Sequence, residues 1–134
     1  MPRIRSMTPR ESALVLDRLD AFRVVAAPDA IDAARLTEHA LLMRLAPDDA
    51  LVVGGDVEVD DPHAIVVRDT GWAAMPIEEE PLREALRRFS AFDPQPGLNQ
   101  GMVVGLPAKV WIDGADSMVI VAAALSAELE ERFS

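Results

Sequence analysis

Five residues have side chains that could recognise a ligand or a partner surface. Asp69 and Trp72 flank Thr70–Gly71, while Gln100, Lys109 and Trp111 lie in the stretch NQGMVVGLPAKVW. A carboxylate at a strand end can point into a cleft, or it can open a turn by binding its own backbone. Tryptophan can stack on a planar ligand or fill the edge of a core. Lys109, the chain's single lysine, could form a Schiff base or bind an anion. It could instead lie over the indole of Trp111 as a cation–π partner. Strand alternation places Lys109 and Trp111 on one face and Val110 and Ile112 on the other, core-directed face.

The rest of the chain offers little for catalysis. It has no cysteine, which removes disulfides, thiolate metal sites and cysteine nucleophiles. Its two histidines, His39 and His63, read as surface or capping residues, and no serine–histidine–carboxylate order can be assembled from spacing. The acidic runs Asp56 to Asp61 and Glu78 to Glu80 lack the ligand spacing of a calcium loop. There is no glycine-rich phosphate loop after a strand. Gly97, Gly101 and Gly105 recur every fourth position, but in a strand, where the close-packing motif of membrane helices does not apply. We therefore expect no catalytic residue, no metal and no cofactor. The five residues above are candidates for a ligand or interface contact.

The elements that must position them can be read from patterning. Thr8-Pro9-Arg10-Glu11 is a capped helix start, followed by an apolar stripe to Leu19 and an expected end near Asp20. FRVVAA (22–27) reads as a strand, and Asp29 caps a short helix through Leu36. Residues 40–46 and 50–53 flank Pro47-Asp48-Asp49, a hairpin turn. Asp56 to Asp61 is expected as an exposed loop or hinge. HAIVVRDT (63–70) reads as a strand with a buried middle. Residues 79–89 carry Leu82, Ala85, Leu86 and Phe89 on one helical face, and residues 91–99 read as a loop. Residues 100–106 and 109–112 read as strands bent at Pro107, followed by an Asp113-Gly114 turn. A strand over 117–121 and a helix over 123–133 close the chain. The expected architecture is α+β: a mainly antiparallel sheet with helices packed on one side, in two β-α-β-β-like halves.

With 134 residues, 50% of them hydrophobic, the chain fits a single domain, 1–134, with pseudo-halves 1–60 and 61–134. A chain of this length buries roughly two thirds of its unfolded surface. The formal net charge of −10 opposes nucleic acid and anionic membranes as partners. The longest apolar run, Met118 to Leu125, is too short to span a bilayer. The basic MPRIRSMTPR start lacks the apolar stretch of a signal peptide. A cytoplasmic location is expected.

The segment MRLAPDDALVVG (43–54) resembles the sarcosine oxidase gamma subunit family, in which an apolar strand enters a Pro-Asp-acid turn and a second apolar strand follows. The second half is similar in outline. A strand near His63 leads to a helix, a Gln-Gly strand with GLPAKVW, and the closing SMVIVAAALSAELEERF. The likeness covers roughly residues 20 to 133. That family is related to the folate-binding fold of the aminomethyltransferases. The resemblance implies a non-catalytic accessory or assembly subunit, packed in a larger enzyme of amine or one-carbon metabolism. Its partner would be larger oxidase subunits or a homo-oligomer. The alternative reading is a binding domain for a folate-like or other planar small molecule.

Overall fold

The computed structural model describes residues 16–89 and 92–133; the helix start read at Thr8–Glu11 lies outside them. In chain order the elements are β1 (Asp17–Arg18), β2 (Ala21–Val25), α1 (Pro28–Asp32), β3 (Arg35–Leu36), β4 (Leu41–Ala46), β5 (Asp49–Val53), β6 (Val57–Glu58), β7 (Ile65–Asp69) and β8 (Trp72–Pro76). These are followed by α2 (Glu79–Arg88), β9 (Gly97–Val103), β10 (Leu106–Ile112), a 3₁₀ turn (Gly114–Asp116), β11 (Met118–Ala122), a second 3₁₀ turn (Ala123–Leu125) and α3 (Ser126–Phe133). The fold is α+β with mainly antiparallel pairing. It divides into two compact units: an inserted unit, Leu19–Trp72, and a flanking unit made of the residues before and after it.

The flanking unit is built on a five-stranded sheet, ordered β1-β8-β11-β10-β9. In α2, Glu79 and Glu80 occupy the first turn and Arg87 and Arg88 the last, which complements the helix dipole. Its Leu82 and Leu86, with Leu129 of α3, bury against one face of the sheet. That face carries Met75, Val103, Ala108, Val110, Ile112, Val119 and Val121. Along β10 burial alternates from Leu106 to Ile112, with Val110 and Ile112 buried. This matches the alternation read from the sequence.

The placement of the turn is a correction. The strand does not bend at Pro107; it reverses at Val104–Gly105, and β9 and β10 pair antiparallel from Val103↔Leu106 to Gly97↔Ile112. Both turn residues have positive φ, 45° and 83°, as a two-residue type I′ turn requires. Gly105 adopts this freely; for the β-branched Val104 the left-handed region costs about 1–2 kcal/mol. Pro107 sits inside β10. The ladder to β11 covers only Lys109 to Trp111, so Pro107 lies beyond it, where a missing N–H costs little. The loop read over 91–99 is shortened by β9, whose Gly101 leaves room for the Phe92 ring: a Cβ there would meet Phe92 at 2.8 Å.

The inserted unit holds a four-stranded antiparallel sheet, ordered β4-β5-β2-β7, and the two-stranded pair β3–β6. Ile31 of α1 buries against Val24, Ala50 and Val52. The hairpin around Pro47-Asp48 forms as read, with β4 and β5 antiparallel. Arg23 grips Asp49 through both carboxylate oxygens, at 2.6 Å each. That hydrogen bond, against the opposing effect of burial, holds the guanidinium more firmly protonated.

Four further readings are corrected. Asp17–Arg18 is a strand, not the end of a helix, because it pairs with Ala73–Ala74 of β8. The short helix is Pro28–Asp32, with Ala27 and not Asp29 at its N-cap and no side-chain cap, and it stops there since Arg35–Leu36 pairs with Val57–Glu58. The acidic segment is accordingly not a free loop. Val57 and Val59 pack on the core, and Asp61 accepts hydrogen bonds from the backbone N–H groups of Ala27 and His63. Its alternation of valine and acid is a strand pattern of period two. Finally, the middle of β7 is not buried: Ile65, Val66 and Val67 are 56%, 41% and 51% exposed.

Candidate functional site

The structure separates the five candidates into two local groups, one in each unit. Asp69 ends β7. Its Oδ1 accepts from the Gly71 backbone N–H at 3.0 Å, and its Oδ2 accepts from the Trp72 indole Nε1–H at 2.8 Å. The carboxylate thus closes the turn between β7 and β8, and both of its oxygens are engaged. Trp72 opens β8, and its C=O accepts from the Leu19 N–H at 2.9 Å. These are structural ties of an Asx-type turn.

In the flanking unit Lys109 lies directly across from Gln100 in the β9–β10 ladder. Its Nζ donates to Gln100 Oε1 at 3.0 Å. Trp111 stands two residues on, paired with Leu98 on one side and Met118 on the other. Its ring is half-buried, and its indole Nε1 is shielded from solvent without a hydrogen-bond partner. A donor so placed forfeits about 1–3 kcal/mol of hydration until an acceptor reaches it.

Glu79 turns out to be a clasp, not a solvated charge. Arg83 Nε donates to its Oε2 at 2.9 Å, and the Gly114 N–H donates to its Oε1 at 3.1 Å. The Arg83 hydrogen bond, then the Gly114 one, lowers the Glu79 carboxyl below its ordinary value. Asp61 is lowered likewise, by the N–H groups of Ala27 and His63. Among the described residues, no three His, Cys, Asp or Glu side chains converge as metal ligands would. Two solvent-open depressions mark the inserted unit. One, of about 300 Å³, lies along Arg35–Thr37 and Asp56–Glu58; the other, of about 420 Å³, lies beside α1 and Asp60–Pro62. None of the five candidates lines either.

A further feature lies on β7. Among the described residues it is the end strand of its sheet, and its three consecutive aliphatic residues are all exposed. Val25, their neighbour across β2, is exposed too. A solvent-facing apolar run on an unpaired edge is a template for pairing with another chain. The local sequence held no signal of it, because IVV reads the same in a buried strand.

No family model, no curated protein and no solved structure matches the chain. Among the described residues, no helix is long and apolar enough to cross a membrane.

Proposed function

We propose that the chain is a non-catalytic accessory subunit whose task is to bind another protein chain. The observation that carries this reading is the exposed apolar edge of β7, Ile65 to Val67. Edge strands of soluble proteins are ordinarily blunted by charge, proline or a covering element; this one keeps three aliphatic side chains in water. The engaged state of the candidate polar groups supports the same reading. Asp69 is tied to Gly71 and Trp72, and Lys109 to Gln100. The resemblance to the sarcosine oxidase gamma subunit family suggests a partner in amine or one-carbon metabolism, in the cytoplasm. The charge of −10 speaks against nucleic acid.

A native pull-down read by mass spectrometry tests it. The wild-type chain should recover one partner in stoichiometric amount, and Val67→Asp, which puts a charge on the edge, should lose it. Recovery of neither another protein nor an untagged copy of the chain, or recovery indifferent to the substitution, would remove the proposal.

The planar-ligand alternative has one observation in its favour, the unpartnered indole N–H of Trp111. Folates titrated into a Trp72→Phe variant, in which Trp111 alone reports, should change its fluorescence. A flat titration ends that reading.

A further inference from the structure

We propose that the open edge of β7 pairs antiparallel with β7 of a second copy of this chain, in the register that sets Val66 opposite Val66. This rests on the protein-binding reading above and names the partner.

The direction of the backbone groups fixes which residues are available. Ala26 N–H bonds to Asp48 C=O, and Gly54 N–H bonds to Asp20 C=O, each at 3.1 Å. Hydrogen-bonded pairs alternate along an antiparallel ladder, so the even-numbered residues of β2 are bonded to β5. Its odd-numbered residues, Ala21, Arg23 and Val25, are therefore bonded to their β7 partners Asp69, Val67 and Ile65. That leaves the N–H and C=O of Val66 and Arg68 directed at the open edge.

A two-fold pairing of identical antiparallel strands must centre on one residue. Centred on Val66, the two copies exchange both of their Val66 hydrogen bonds, and each Arg68 N–H meets the Ala64 C=O of the other copy. The Ala64 N–H is already given to Asp61, but its carbonyl remains to accept. Ile65 then faces Val67 on one side of the sheet, and Val66 faces Val66 on the other. Val25, across β2 from Ile65, extends the first apolar patch. Centring on Arg68 would oppose two like charges, which is destabilising; centring on Val67 would set Asp69 against Ile65.

The two four-stranded sheets would merge into one of eight strands, a size that open sheets accommodate. The exposed area of these few side chains falls short of the ~800 Å² per partner of a standard interface. The dimer is therefore weak and forms by mass action.

Sedimentation equilibrium over a wide concentration range should show the mass rising from monomer toward dimer. Val66→Pro removes the outward N–H and places a ring on the edge; it should abolish the rise, with circular dichroism reporting whether the fold survives. The register is read independently by single cysteines, since the chain has none of its own. Paired Val66 Cα atoms would sit about 5.5 Å apart, within disulfide reach. In this register the Val67 pair and the Arg68 pair lie beyond the ~7 Å limit. Mild oxidation should cross-link Val66→Cys and leave Val67→Cys and Arg68→Cys monomeric. A wild type that stays monomeric throughout overturns the proposal, and so does cross-linking without preference among the three positions. If the wild type is monomeric but the pull-down partner is still lost on Val67→Asp, self-pairing falls while the protein-binding reading stands.

Discussion

The strands β7 and β11 are built from the same kind of residue and live in opposite surroundings. IVV in β7 lies in solvent at the end of a sheet, whereas VIV in β11, Val119 to Val121, is fully buried. β11 has β8 on one side and β10 on the other, and Val119 and Val121 face the core under α2 and α3. β7 has β2 on one side and, among the described residues, no strand beyond. What separates them is sheet order, a property of the whole chain. Local composition sets how well a segment forms a strand; its neighbours decide whether the apolar surface stabilises the fold or is left for a partner.

Matched substitutions should expose this difference most strongly. Ile120→Ala in β11 should cost about 3 kcal/mol in urea denaturation, since it opens a cavity at a fully buried site. Ile65→Ala in β7 should cost about 0.5 kcal/mol or less. Equal losses would mean that β7 is covered after all. Next in size is Ser117→Ala, at the entry to β11. The Ser117 hydroxyl is fully buried, accepts from Asp113 N–H and donates to Gly114 C=O, both at 2.8 Å. Its loss should cost about 1–2 kcal/mol. Val104→Asn, at the turn leading to β10, should instead gain up to about 1 kcal/mol, because asparagine tolerates the left-handed region that valine resists. An unchanged or lower unfolding midpoint would contradict the strain argument.

The smallest effect compares the approaches to the two strands. Asp61 precedes β7, and Glu79 holds the Gly114 turn before β11. Both carboxyls are lowered in the folded state from ordinary values of 3.8 and 4.5. Their contribution is present above those values and is lost as pH falls through the lower folded-state ones. Denaturation midpoints should therefore drop on acidification below about pH 4.5. Asp61→Asn and Glu79→Gln should each flatten part of that drop; a profile unchanged in both variants would contradict the assignment.

The elements that were legible are those whose period and punctuation agree. LPAKVWI alternates and forms β10, residues 79–88 keep a helical period, and Pro47-Asp48 turns a hairpin. What was not legible depended on distant partners. Asp17–Arg18 is a strand only because β8 is beside it, and WAAMP of β8 has no β-branched residue to announce it. The acidic run hides its period-two valines among carboxylates, and Pro107, a stronger break signal than Val-Gly, obscures the turn at Val104–Gly105. At the candidate site, the D-x-G spacing around Asp69 already contained the turn that the structure shows. The Lys109–Gln100 pair could be seen only once that hairpin turn was placed, since it sets the register. The exposure of β7 had no local signature at all.

The hydrogen bond from Leu19 to Trp72 carries a consequence for the order of folding. For β1 to reach β8 the chain must close a loop containing the whole inserted unit, and the entropic cost of closure grows with the length of flexible chain. Once the inserted unit has folded, its two ends are already side by side and that cost has been met. The insertion then acts as a knot of tied thread that brings the flanking strands into range. A variant that loosens it, such as one lacking the Leu19–Trp72 tie, should slow completion of the five-stranded sheet without touching a residue of its core.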